Sequence, residues 1–270
     1  MTDGNSMNMI LAVIIAALII AGAVMLAGNN IAGAVSKLEL KVPASTGTGG
    51  TGGTGGTGGT GGTGGTGDSG AGAADGGAID VSFANVLPSL GPSNAKVTVL
   101  VFEDLQCPFC AIYEGNALGG AQYDSIRNVS GKIRAEYIDA GKSVRLTPVL
   151  FSFLGQESVR SAEAAFCADD QGKFWEYHDA LFLSHDGTEN KGRLSDANLK
   201  KFATDLGLDT AAFNSCFDSG KYTDKVAQIY SDTTSKTPVS GTPSVMINGK
   251  KVSDVSWAGI KATIDAELAK

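Results

Sequence analysis

The first 36 residues contain no lysine and no arginine, and residues 7 to 28, MNMILAVIIAALIIAGAVMLAG, carry no charge of either sign. An uncharged run of about 20 apolar residues is long enough to cross a bilayer as a helix. The missing basic start and the length of the run argue against a cleaved secretory signal, for which Ala32-Gly33-Ala34 is nevertheless a suitable cut site. The segment is therefore expected to be an uncleaved transmembrane anchor, with a cleaved signal as the alternative. Lys37 and Lys41 follow it, and by the positive-inside rule they weakly favour a cytoplasmic C-terminal side. The chemistry argued below requires the opposite side and is given more weight. Residues 44 to 77 lack proline and every large apolar side chain; they are Gly and Thr with a few small residues, including TGGTGGTGGTGGTGGTGG from Thr48 to Gly65. Nothing there repays the entropy of ordering glycine, so a disordered tether is expected. Its r.m.s. span is roughly 30 Å for about 34 residues. Dense Lys/Arg clusters are also absent, and the net charge is -7; both exclude nucleic acid as a natural partner. What remains is a folded region of 78 to 270, behind a 1 to 43 tail-and-anchor segment and the 44 to 77 linker. That size supports one core without help from disulfides.

KVTVLVFED, residues 96 to 104, is almost continuously apolar and reads as a strand buried on both faces. Cys107-Pro108 follows at once, and proline is at home in the first turn of a helix. A helical stretch, broken near Asn128 to Gly131, is expected to run to about Asp139. SVRLTPVLF, 143 to 151, reads as a second strand. Five helical segments then follow: Glu157 to Gln171, Lys173 to Ser184, Ser195 to Leu206, Thr210 to Asp218 and Tyr222 to Ser235. PSVMINGKKV, 243 to 252, turns at Asn248-Gly249, a strong hairpin signal. A last helix from Ser256 to Lys270 closes an α/β core that carries a helical insertion at about 155 to 236.

Cysteine is scarce, with four residues, and only Cys107 and Cys110 are close together. A structural zinc site wants two such pairs, and a staple across two residues gains little in loop entropy. A redox pair suits the position better. A cysteine at a helix N-terminus faces free N–H groups and the positive end of the helix dipole, which lowers its pKa. Cys107 is then the sulfur that is attacked or attacks, and Cys110, one turn inside, resolves.

VFEDLQCPFC, AEAAFCADDQGKFWEYHDALF and VSGTPSVMINGKKV, in that order, resemble the DsbA-like thiol–disulfide oxidoreductases of the thioredoxin superfamily. The likeness spans about 78 to 270. It implies a thioredoxin-like fold with an inserted helical domain, catalytic Cys107 and Cys110, and a cis peptide bond at Thr242-Pro243. Pro108, Phe109, Thr242 and Pro243 are then expected to meet substrate, the backbone of Thr242 by strand addition. Implied partners are thiol-containing exported proteins and a DsbB- or VKOR-type membrane reoxidase, with no cofactor and no metal. Phe109 departs from the family's strong oxidants, which carry His between the cysteines; phenylalanine offers the Cys107 thiolate neither a hydrogen bond nor a charge. Two further readings share the site: an exported reductase or isomerase, and a non-catalytic peptide-binding module.

Cys167 and Cys216 are expected to form a structural disulfide; two buried free thiols are the alternative. Glu103 and Asp104 are either proton acceptors or charges that act on the cysteines, or a solvated strand end. His178 and His185 are expected at ordinary polar positions. Phe166, Phe174, Trp175, Leu181 and Phe182 are expected to pack as core. Apolar surface near Phe109 and Val239 is expected to be exposed for unfolded substrate.

Overall fold

The computed structural model describes residues 81–270. The expected anchor and Gly/Thr tether lie outside the described residues, and among those described no helix is long and apolar enough to cross a membrane.

Strand β1 (Val97–Glu103) is central. It pairs in parallel with β2 (Val144–Leu150) and antiparallel with β3 (Ser244–Ile247), which turns into the short β4 (Lys250–Lys251). The order is β2-β1-β3-β4. Period-two alternation divides β1 between two cores. Val97, Val99 and Val101 face one side, with Ile133, Tyr137, Ile260 and Ile264. Leu100 and Phe102 face the other, with Phe166, Leu181 and Phe182. Both faces are covered, which explains why β1 is apolar throughout rather than alternating. Each fully buried Val, Leu or Phe contributes about 1.5–3 kcal/mol relative to exposure, so a polar residue at Val99 or Phe102 would unseat one core or the other.

Helix α1 (Pro108–Tyr113) follows β1. Helix α2 (Val129–Ile133) continues through a π-type turn at Arg134–Ile138. The break between α1 and α2 is longer than the sequence suggests, running from Glu114 to Asn128. Gly115 and Gly119 have positive φ there, and Asn128 starts α2 from a left-handed conformation. The Asn116 amide also donates to the carbonyls of Phe182, Leu183 and His185, so this segment is tied to the insertion as well as to the end of α1, where Asn116 N and Asn128 N donate to the Ala111 and Ile112 carbonyls.

The insertion between β2 and β3 holds α3 (Gln156–Asp169), α4 (Phe174–Leu183), α5 (Asp196–Asp205), α6 (Thr210–Asp218) and α7 (Thr223–Lys236). Asp209 caps α6 by accepting from the N–H groups of Ala211 and Ala212. Asn248 and Gly249 both take positive φ in the β3-β4 turn, the geometry of the favoured two-residue hairpin. Helix α8 (Trp257–Ala269) is capped by Ser256, whose Oγ accepts from Gly259 N. This is a thioredoxin-like α/β core with a helical insertion.

Candidate active site

The chain leaves the C-terminal end of β1 and reaches Cys107 in four residues. Cys107 is the N-cap of α1, with Pro108 at its first position. Its own N–H is used by the Asp104 carbonyl at 2.9 Å, and its carbonyl accepts from Ala111 N at 3.0 Å. Cys110 lies one turn inside. The two thiols are free, and they are 5 % and 0 % exposed. The loop before β3 closes the site through a cis Thr242-Pro243 bond. Cys107 Sγ donates to the Thr242 carbonyl at 3.6 Å. The Thr242 hydroxyl is buried and has no hydrogen-bond partner in this arrangement.

The two sulfurs are electrostatically unlike. Cys107 is lowered to about 7, first by the Cys110 thiol donating to it, against its own burial. The N–H groups of Cys110 and Phe109 add to the lowering. Cys110 is pushed well above the ordinary thiol range, first by burial, then by Cys107 and the charge of Glu103. Near neutral pH one sulfur is therefore a ready thiolate and its neighbour a thiol.

Phe109, between the cysteines, is 45 % exposed and sits edge-on to Tyr123 with ring centroids 5.7 Å apart. Val239 is buried, not exposed; its place in the core cluster removes it from any substrate surface. Exposed aromatic surface lies instead at Phe153 and Tyr230, which line an open groove of about 410 Å³ with Gly155, Val159 and Val226. Phe166, Phe174, Leu181 and Phe182 pack in the core, and Trp175 is partly buried against it.

Glu103 and Asp104 are not a solvated strand end, because the insertion covers both. Asp104 accepts from Gln106 N, Ser158 Oγ, Phe153 N and Leu154 N at 2.6–3.1 Å. A carboxylate with four donors is fully satisfied, and here it fixes the loop that presents Cys107. Glu103 Oε1 lies 2.6 Å from His178 Nε2. His178 and His185, ordinary polar positions by the sequence, are both buried at the rear of the site. His185 donates from Nε2 to the Gln106 carbonyl at 2.7 Å and accepts from Gly187 N at Nδ1. That pattern fixes its neutral tautomer, and burial pushes its pKa down. Arg193 donates to the Leu105 carbonyl at 3.0 Å. The insertion thus holds residues 104 to 106 from behind.

Cys167 on α3 and Cys216 on α6 are bonded, with Cα atoms 5.8 Å apart. Among the described residues, Glu114, His178 and Asp179 bring potential metal ligands within 4.8 Å of one another. Both His178 nitrogens already face carboxylates, however, at 2.6 and 2.8 Å. Sequence reasoning passed over Glu114, Arg134 and Asp179. The available signals were the position of Glu114, one helical turn after Cys110, and the His178-Asp179 pair in FWEYHDALF.

Residues 86–266 match the family model described as Thioredoxin. The chain is 30% identical over 185 residues to the probable disulfide bond formation protein D of Bacillus anthracis, covering 67% of this chain and 78% of that one. It is 28% identical to the disulfide bond formation protein D of Bacillus subtilis, over 67% and 77% of the two chains. The crystal structure of oxidised BdbD from Bacillus subtilis superposes with a TM-score of 0.59 at 25% identity, over 72% of this chain and 97% of that one. The chain belongs to the thioredoxin family and is a DsbA-like protein thiol–disulfide oxidoreductase.

Proposed function

We propose that this protein is anchored in the membrane with its folded domain outside the cytoplasm, and that it forms disulfides in exported proteins through Cys107 and Cys110. The observation that carries the assignment of these two residues is their opposite electrostatics across one helical turn. In the working cycle Cys107–Cys110 starts as a disulfide. A substrate thiolate attacks Cys107 Sγ, and Cys110 leaves with the electron pair. A second thiolate of the substrate then attacks the substrate sulfur of the mixed disulfide and expels Cys107 as a thiolate. The substrate leaves oxidised by two electrons, and the enzyme keeps them as a dithiol. A membrane reoxidase of the DsbB or VKOR type removes them. Pro108, Phe109, Thr242 and Pro243 frame the attacked sulfur, and the Thr242 backbone takes an extended substrate segment by strand addition.

A second direction has a specific observation in its favour. Cys107 is lowered only to about 7, the thioredoxin-like figure, whereas the strong oxidant DsbA lies at about 3.5. Phe109 supplies no donor that would take it lower. This favours an exported reductase or isomerase with the same residues. The reduction potential of Cys107–Cys110, equilibrated against a glutathione series, decides between the two. A value between about −120 and −180 mV supports a disulfide donor, and one near −270 mV overturns the oxidase reading.

A further inference from the structure

Between α1 and α2 the chain makes a closed loop whose two ends meet at one atom. The Ile112 carbonyl accepts from Gly115 N and from Asn128 N, each at 3.0 Å. Residues 115 to 127 form a compact Ω-type loop between them, and Arg127 is its hub. The Arg127 guanidinium donates to the carbonyls of Asn116, Leu118 and Gly120 at 2.6–3.3 Å, and its Nε donates to Asp124. A planar fork with five donors suits such a ring of carbonyls. The loop is also tied to its surroundings. Asn116 binds carbonyls of the insertion, and Trp257 N at the start of α8 donates to the Ser125 carbonyl at 2.8 Å.

Two of the loop's apolar side chains go inward. Leu118 packs against the core that holds Phe102 and Phe182, and Ile126 against the one that holds Val101 and Tyr137. Tyr123 belongs to neither core. It ends a short 3₁₀ turn, Ala121–Tyr123, and its ring meets Phe109 edge-on at 5.7 Å. Gly119 runs so close to that ring that a Cβ there would stand 2.3 Å from Tyr123 Cδ2. The loop thus fixes an aromatic side chain where burial gains the fold little, since Phe109 is 45 % exposed and Tyr123 only partly covered. The position of the two rings is what distinguishes them. At 3.6 residues per turn, Phe109 is about 200° around α1 from Cys107. Cys107 Sγ faces the Thr242 carbonyl, so Phe109 and Tyr123 flank the sulfur on the side away from Thr242.

Resting on the thiol–disulfide reading, we propose that Tyr123 is a specificity-determining residue: with Phe109 it forms an apolar shelf beside Cys107 that takes an aromatic or large aliphatic side chain next to the reacting cysteine of an unfolded polypeptide. The occupant follows from the chemistry of the site. In the mixed disulfide the substrate sulfur is bonded to Cys107 Sγ, which holds the neighbours of the substrate cysteine against the surface around it. On the Thr242 side that surface offers backbone; on the other it offers two rings. An unfolded chain exposes the large apolar side chains beside its cysteines, whereas a folded one mostly buries them. Tyrosine and phenylalanine have two side-chain torsions each, so covering them costs little conformational entropy. The Arg127 hub orders the loop before substrate arrives, and that ordering is not charged to binding.

The test compares two short peptides as reductants of the Cys107–Cys110 disulfide in the full chain at pH 7. One has phenylalanine on both sides of its single cysteine, and the other has serine there. Second-order rate constants are corrected for each peptide's thiolate fraction. Wild type is expected to favour the phenylalanine peptide by about fivefold, within the range of an aromatic contact. Tyr123→Ser should lose most of that preference, and Tyr123→Phe should keep it. If Tyr123→Ser does not fold, Gly119→Ala, which pushes the ring aside, takes its place and is read in the same way. A wild type without preference overturns the shelf, and so does a Tyr123→Ser variant that slows both peptides alike and keeps the preference. A disulfide that neither peptide nor dithiothreitol reduces sinks the thiol–disulfide reading and the shelf with it, an outcome distinct from reduction without preference.

Discussion

The two cysteine pairs share a chemistry and differ in every other respect. Cys167 and Cys216 are 49 residues apart and join the bodies of α3 and α6. Cys107 and Cys110 are separated by two residues and straddle a helix N-terminus. The long-range bond restricts a large loop of the unfolded chain, which is where a disulfide gains stability. The short-range pair has almost no loop to restrict, so opening it sacrifices little of the fold. Its N-terminal sulfur also has donors that accept a negative charge, and its inner sulfur does not. Position on an element, more than the residue type, divides holding from reacting.

The sharpest way to break this comparison is to remove each pair in turn. Cys107→Ser is expected to reduce disulfide exchange with a reduced, unfolded protein substrate to background, with the urea midpoint little changed. The double variant Cys167→Ala/Cys216→Ala should do the reverse. It should lower stability by about 4 kcal/mol in the chain-entropy account, read as a lower urea midpoint, while exchange at 25 °C stays close to wild type. If exchange survives Cys107→Ser, the redox assignment fails and the non-catalytic peptide-binding reading takes its place.

A smaller effect separates the two sulfurs within the reactive pair. At pH 7 Cys107, at about 7, is about half thiolate. Cys110, well above 9, is less than about 1% thiolate, since each pH unit below the pKa is a factor of ten. Alkylation of the reduced protein with iodoacetamide at pH 7 should therefore label Cys107 at least about fiftyfold faster than Cys110. Mapping the label by mass spectrometry checks this. Equal labelling would remove the electrostatic asymmetry on which the direction of attack depends.

Much of the fold was legible in the sequence because its signals are local. The apolar run of β1, the Cys107-Pro108 junction and Asn248-Gly249 each state a backbone preference within a few residues. The cis bond at Thr242-Pro243 came from the resemblance. What the sequence left open depends on partners far along the chain. Glu103 and Asp104 look like a charged strand end until His178, 75 residues later, and Ser158, 54 residues later, fold over them. Val239 looks like free apolar surface until the core takes it in. The segment 114 to 128 looks helical until Asn116 binds three carbonyls of the insertion. Periodicity identifies a face but not what covers it, and a polar residue in an apolar run stays ambiguous until its partner is known.

The smallest expected effect compares the pair with itself, closed and open, through the pH dependence of stability. Glu114 is raised from 4.5 to about 8. Its contribution is complete below pH 4.5 and is lost as pH rises through 8. His178 is raised from 6.5 to about 10, so its contribution is complete below 6.5 and is lost as pH rises through 10. Asp179, lowered to about 2, contributes above 3.8 and plays no part in the neutral range. With Cys107–Cys110 oxidised, neither sulfur titrates, and the urea midpoint should fall from pH 6 to pH 9. In the reduced protein Cys107, lowered from 9.0 to about 7, adds stability that is present above pH 9 and lost as pH falls through 7. Between pH 7 and 9 this runs against Glu114 and His178, because stability rises with pH wherever the unfolded state binds more protons. The reduced midpoint should therefore fall less steeply than the oxidised one between those two values. Parallel curves would mean that the folded protein does not stabilise the Cys107 thiolate, and the electrostatic difference between the two pairs would then lie in geometry alone.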